Sequence, residues 1–274
     1  SIVSPELPIE FINTGELDIK TTYVLPVTIK SVEGIGVLQS AKTYYYVFRG
    51  ASLINVVCNI SRNRAYPDFK NDSKFNNLTE NTMEILFKAN SFPNTLNTLM
   101  GIESNYLLRI GDATIPNNQL QVATSVNNCT SADLQLESGK WYHVAVAFNK
   151  GNVKVYINGV EKLSGSTGKS SVSLGAKHTN EEDGSRCFWV GYSYKDDRYF
   201  DGVVSEVRIW NRALTAEEIQ ATNHFYTIEP ESEGLIAYWK FDEGSGTVAK
   251  DYSVSGYDLT IEKEPKWESV SLPQ

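Results

Sequence analysis

Residues 200–223 read FDGVVSEVRIWNRALTAEEIQATN, and the reading of this stretch decides the fold. Its first half, Gly202 to Trp210, is rich in β-branched and aromatic residues and is predicted to be a strand. The second half changes period. Thr215 and Glu218 stand three residues apart as a capping box, and Ala213, Leu214 and Ile219 supply an apolar stripe, which together predict a short helix. One amphipathic helix in a chain of strands has only a sheet against which to bury that stripe. It is therefore expected to cover an edge or end of the sheet and return the chain.

The surroundings of this segment are written in strands and turns. From residue 51 the runs ASLINVVCNI, TMEILFKANSF, TLMGIESNYLLRIGD, QLQVATSV, KWYHVAVAFNK, NVKVYINGVEKL and RCFWVGYSY follow one another at short intervals, as in a sandwich or barrel and unlike βαβ units. Asn158-Gly159, between VKVYI and VEKL, supplies the positive φ angles of a two-residue hairpin turn. In WYHVAVAF, Tyr142, Val144, Val146 and Phe148 alternate with Trp141, His143, Ala145 and Ala147, so neither face is strongly polar and the strand is expected inside a sheet. His143 reads as a hydrogen-bonded structural residue. Neither His178 nor His224 stands at a metal-ligand spacing from it.

Residues 1–50 hold LPIEFINTGELDIKTTYVLPVTIKSVEG and KTYYYVFRG, two or three strand candidates that form a small β-unit, with Gly34-Ile35-Gly36 as a turn and a boundary at Arg49-Gly50. Residues 51–274 form the main domain. Within it, residues 230–274, which begin in the acidic connector TIEPESEG, are expected to form a C-terminal β-hairpin that completes the sandwich.

Composition bounds the function. A chain of 274 residues with 41% hydrophobic and 21% charged residues has an ordinary globular make-up and can bury a large core. The net charge of -8, without clustered Lys and Arg, excludes nucleic acid as an expected partner. No run of about 20 apolar residues marks a membrane-spanning helix. Cys58, Cys129 and Cys187 are too few and too scattered for a disulfide framework or a zinc motif, though one pair could bridge.

GKWYHVAVAFNKGNVKVYINGVEK, followed by FDGVVSEVRIWNRALTAEEI, resembles the concanavalin A-like, laminin-G/pentraxin-type jelly-roll family over about residues 51–225. LIAYWKFDEGSGTVAKDYSVSGYDLTI is similar to the strand pair that usually opens such a domain, and here it comes last. YVLPVTIKSVEG resembles the end of a small β-sandwich module of unknown function in surface lipoproteins of gut bacteria, and MGIESNYLLRIGD resembles the laminin-G-like domain of that bacterial branch. The resemblance implies an all-β, two-sheet antiparallel jelly-roll sandwich with one short helix, plus a small N-terminal β unit. It also implies an extracellular or cell-surface location, where any lipid anchor would sit on a cysteine preceding Ser1, and a glycan or surface protein as partner.

Related sandwiches include polysaccharide hydrolases, which carry an E-x-D-x-x-E run on one strand. TENTMEILF offers Glu80 and Glu84 in the right parity but places Thr82 at the middle acid position, which argues against catalysis. Calcium is the expected cofactor, since it takes oxygen ligands from carboxylates and loop carbonyls. By the resemblance, Asp251 matches one ligand position and Glu206 substitutes at another, where the family has Asp-Glu and this chain has Val204-Ser205-Glu206; the alternative for Asp251 is that it caps its own turn. For sugar binding, GYSYKDDRYFDG offers Tyr194, Asp196, Asp197, Arg198 and Tyr199, and NYLLRIGD adds Tyr106, Arg109 and Asp112, combining aromatic faces with planar polar groups. Trp189 is expected in the core. The preferred reading is a non-catalytic binding module, with a glycoside hydrolase of the same fold and an adhesion or spacer domain as rivals.

Overall fold

The computed structural model describes residues 17, 21–31, 33–34, 42–49, 52–178 and 186–273. Most of LPIEFINTGELDIK, the Ile35-Gly36 half of the expected turn, and Gly50 of the expected boundary lie outside the described residues. The chain divides into two compact units, Ser1–Leu53 with Ser271–Gln274, and Ile54–Val270. The division falls slightly after the expected Arg49-Gly50 boundary, and the last four residues join the smaller unit. In that unit β1 (Thr22–Thr28) pairs antiparallel with β2 (Thr43–Arg49), from Thr22 opposite Arg49 to Thr28 opposite Thr43.

The larger unit is a sandwich of two antiparallel sheets. In the first sheet, β11 (Val160–Ser166), β10 (Asn152–Ile157), β9 (Trp141–Asn149), β5 (Glu80–Ala89), β13 (Gly202–Trp210), β3 (Ile54–Asn59) and β17 (Lys266–Leu272) lie side by side, and β14 (Leu235–Trp239) also pairs with β13. Strand β13 runs against β5 along one side. On its other side it meets β3 at Val203 and Val204 and β14 from Val207 to Trp210. The second sheet has the order β15 (Val248–Ala249), β16 (Leu259–Ile261), β4 (Ala65–Pro67), β12 (Trp189–Val190), β6 (Asn97–Ile102), β7 (Tyr106–Asp112), β8 (Ile115–Thr124).

The period-2 pattern explains what fills the space between the sheets. Met83, Ile85 and Phe87 of β5 and Val144, Val146 and Phe148 of β9 meet Leu108, Ile110, Leu120 and Val122 from the second sheet in one buried cluster. Strand β9 lies inside its sheet, between β10 and β5, as its two apolar faces predict. The hairpin turn forms at Asn158-Gly159, with φ of 49° and 77°, and Ile157 faces Val160 across it. Trp189 is buried as expected, and all three cysteines are buried and outside any disulfide.

Two expectations are corrected. Residues 230–274 do not end the chain as one hairpin: β14 and β17 enter the first sheet and β15 and β16 the second. Helix α1 (Ala216–Ile219) is capped as predicted, with Thr215 accepting from the Glu218 amide and Glu218 returning the bond to the Thr215 amide. However, it covers a sheet face and not an edge. Leu214 and Ile219 pack on Ala145, Ala147, Tyr156, Trp210, Leu235 and Tyr238, the outward residues of β9, β10, β13 and β14. The small side chains of Ala145 and Ala147 leave a shallow seat there, and Thr82 fixes the approach by donating to the Arg212 carbonyl and accepting from the Leu214 amide. The second apolar face that the sequence gives β9 exists to receive this segment.

Candidate functional site

Two groups of polar side chains stand out, one at the rim of the sandwich and one sealed beneath the covering segment. At the rim, residues 194–199 follow β12 and include a short 3-10 turn, Asp196–Arg198. Arg198 lies 4.7 Å over the Tyr194 ring and donates to its hydroxyl at 3.3 Å. Its guanidinium is 3.6 Å from Glu103 Oε2, whose other oxygen lies 4.0 Å from Arg109. Arg109 in turn donates to Asp112 and, at 2.8 Å, to Gln121. The structure thus brings Arg109, Asp112, Tyr194, Asp197 and Arg198 together around Glu103, an acid that sequence reasoning missed because it lies in the turn between β6 and β7. Asp197 sits 3.8 Å from Arg198. Tyr106 does not join them: its ring is fully buried in the core, 5.8 Å from Phe148, because its side of β7 faces the other sheet.

Two hollows open beside this loop. One, of about 710 Å³, is lined by residues that include Arg62, Asn94, Asp196, Tyr199, Asp201 and Lys263. The other, of about 470 Å³, shares Pro93 and Asn94 and takes in Asp112, Asp197 and Arg198. Asn94 donates to the Tyr199 carbonyl at 3.0 Å, and Asp201 accepts from Ser61 and Ser91, so the floor is held by hydrogen bonds from three chain segments. Burial pushes the Tyr199 phenol up to about 12, so it stays a neutral hydrogen-bond donor across the physiological range.

The second group is carried by the outer face of the first sheet. A register shift in β13 between Ser205 and Arg208, with Glu206 at φ 50°, resets the alternation so that Val204 and Val207 both reach the core. Arg208 then stands opposite Glu84 of β5, and Trp210 lies on the same face. Glu84 is fully buried. Its Oε2 accepts from Trp210 Nε1 at 2.7 Å, with Arg208 at 3.7 Å, while its Oε1 meets His224 Nε2 at 2.7 Å and His143 Nε2 at 3.3 Å. Burial works against the Glu84 charge, but the two imidazoles and the Arg208 guanidinium reverse this and hold the carboxyl well below the usual range. Burial also lowers His143, which keeps its ring neutral.

The two expected calcium ligands are engaged by the protein itself. Glu206 accepts from Arg208 and from the Tyr238 hydroxyl, whose oxygen is 2.7 Å away. Asp251 accepts the backbone amides of Tyr238, Ser253 and Tyr257 at 3.0, 2.8 and 2.8 Å, the turn-capping alternative. Among the described residues, the group of His, Cys, Asp or Glu side chains close enough to share an ion is Glu84, His143 and His224, with ligating atoms all within 4.8 Å of one another. Sequence spacing hid this group, since its members lie 59 and 81 residues apart along the chain (143 − 84 and 224 − 143). The available signal was a charged residue and a histidine inside the otherwise apolar strands TMEILF and WYHVAVAF.

A family model described as the concanavalin A-like lectin/glucanases superfamily, Laminin_G_3, matches residues 63–220. Among solved structures, the chain is similar to one from Bacteroides ovatus ATCC 8483 described as a "putative carbohydrate binding protein", at 27% identity and TM-score 0.67, covering 93% of this chain and 70% of that one. It also matches domain 4 of AbnA, a GH43 extracellular arabinanase from Geobacillus stearothermophilus in complex with arabinotriose, at 19% identity and TM-score 0.46 over 78% of this chain and 91% of that one. A SAP-like pentraxin from Limulus polyphemus matches at 14% identity and TM-score 0.44, over 64% and 83% of the respective chains. No curated protein matches. No helix among the described residues is long and apolar enough to cross a membrane. With its family model spanning more than half of the chain and its two antiparallel sheets, this chain belongs to the concanavalin A-like lectin/glucanases superfamily, in its laminin-G group.

Proposed function

We propose that the chain is a non-catalytic carbohydrate-binding module of an extracellular or cell-surface protein, and that sugar enters the rim hollow beside Tyr199. The observation that carries this reading is the lining of that hollow: a partly exposed aromatic ring among Arg62, Asn94, Asp196 and Lys263. An aromatic face takes the apolar side of a pyranose, and planar polar groups satisfy its hydroxyls. The neighbouring Asp112, Asp197 and Arg198 extend the polar surface into the second hollow, enough for a further sugar unit. The similarity to a chain described as a carbohydrate binding protein supports the same reading.

Hydrolysis is the less favoured chemistry. A glycosidase presents two carboxyl groups to the scissile bond, whereas Glu84, the acid at the hydrolase-like strand position, is sealed from solvent with both oxygens engaged. A glycan array followed by calorimetry on the retained oligosaccharides tests the proposal. Binding that Tyr199→Ala and Asp196→Ala each weaken, with unchanged melting temperature and no released product, is expected. Product release abolished by carboxylate substitutions, or retention untouched by both variants, would overturn it.

A further inference from the structure

Nothing in the rim site uses the sealed group on the opposite sheet, and its composition is unusual for a support. Glu84, Glu206 and Arg208 bring two carboxyl groups and one guanidinium into a buried space next to two imidazoles. The groups that face it are His143 from β9, His224 from the covering segment, Trp210 from β13, and Tyr238 from β14, whose hydroxyl donates to Glu206. Phe225 stacks on the His143 ring at 4.5 Å and closes that side. Although the His143 ring is fully buried, its Nδ1 has no hydrogen-bond partner and its Nε2 has only the 3.3 Å contact with Glu84, a situation native interiors rarely leave unfilled.

We propose that Glu84, His143 and His224 bind one divalent transition-metal ion of the zinc class, which ties the covering segment to the sheet. The donor set is one carboxylate oxygen and two imidazole nitrogens, chemistry that suits zinc or cobalt and not calcium, which takes oxygen ligands. Ligands bonded at about 2.0–2.1 Å around a tetrahedral ion stand about 3.3 Å apart. His143 Nε2 already lies 3.3 Å from Glu84 Oε1, His224 Nε2, at 2.7 Å from that oxygen, needs to open by about half an ångström, and the three ligating atoms lie within 4.8 Å of one another, so the imidazoles have to adjust around the ion. The carboxylate is also aimed by an outer shell: Trp210 Nε1 and Arg208 hold Oε2, so that Oε1 is turned toward the imidazoles. The three ligands come from β5, β9 and the segment after α1, so the ion would add to the hydrogen bonds that already tie this segment to the sheet, among them the one Arg208 donates to the His224 carbonyl at 2.6 Å. Binding energy at such a site is folding energy.

The experiment uses the whole chain, stripped with chelator, then titrated with zinc chloride by calorimetry and with cobalt chloride by visible absorption. One equivalent of metal, cobalt bands of tetrahedral intensity, and a melting temperature raised by roughly 5–10 °C at a hundredfold excess over Kd are expected. Trp210→Phe should weaken binding about 10–100-fold, His224→Gln should abolish the cobalt bands, and His178→Gln, on the other sheet's side, should leave both unchanged. Because the native chain is measured first, a variant that fails to fold does not decide the matter. Uptake below about a tenth of an equivalent without cobalt bands would overturn the proposal; so would bound metal indifferent to His224→Gln and Trp210→Phe.

Discussion

Replacing Ile219 by alanine tests whether the covering segment is held by the sheet. Helix α1 is a single turn, Ala216–Ile219, far below the length at which a helix stands alone, so its existence depends on what it packs against. Ile219 is 0% exposed and is the last residue of that turn, lodged among Ala145, Ala147, Tyr156 and Trp210. Truncating a buried isoleucine to alanine costs about 2–5 kcal/mol, and the seat cannot collapse easily because the alanines beneath it have nothing to move in. Taking about 3 kcal/mol, and about 2–4 °C per kcal/mol for a domain of this size, the melting temperature should fall by roughly 6–12 °C. Differential scanning calorimetry on wild type and variant measures this directly. Val254→Ala, at a position 81% exposed, is the control and should stay within about 0.5 kcal/mol of wild type. A shift of less than about 2 °C for Ile219→Ala would refute the claim that this face needs its cover.

Other outcomes follow from the same geometry. Stability should fall as pH drops from 7 toward 4: His143, held below its ordinary 6.5, and Glu84, held below its ordinary 4.5, both bind protons in the unfolded chain before they bind them in the native one. The loss therefore begins near 6.5 and steepens below 4.5, and denaturant midpoints that rise on acidification would contradict it. Gly101→Ala should destabilise by about 3 kcal/mol or more, because a Cβ there would sit 2.4 Å from the Tyr106 carbonyl at φ 120°, and neither β6 nor β7 can yield within the sheet. Deleting residues 230–274 removes β14 from beside β13 and β16 from beside β4. Far-ultraviolet dichroism and gel filtration should then report an unfolded or aggregated chain, and cooperative melting at the full-length temperature would count against the topology.

The sequence carried the fold where the signal was local. Thr215 and Glu218, Asn158-Gly159 and the two-faced strand WYHVAVAF each state their geometry within a few residues, and each is found where that geometry predicts. Amphipathicity tells that a stripe is buried but not against what, so the expected place, an edge or end of the sheet, gives way to its face; the pairing of β9 with β5 leaves Ala145 and Ala147 facing outward beneath the helix. Tyr106 stands near Arg109 and Asp112 in sequence, yet Tyr106 and Arg109, three apart on a regular strand, face opposite ways and the tyrosine ring goes inward, while the register shift between Ile110 and Asp112 brings Asp112 round to Arg109. The buried network was illegible for a different reason. Glu84, His143, Arg208 and His224 belong to four separated segments, and the parity that puts Arg208 and Trp210 beside Glu84 depends on the register shift next to Glu206, which no local pattern announces. For Asp251 the weighing of two roles was already possible, and its three backbone amide bonds match the turn-capping one.

The most direct measurement is a crystal structure of the chain grown with the oligosaccharide it retains most strongly. A pyranose ring lying on Tyr199, with its hydroxyls reaching Asn94, Asp196, Arg62 or Lys263, is the arrangement this account predicts. A saccharide lodged elsewhere between two facing carboxyl groups, or recovered as cleaved product, would contradict it.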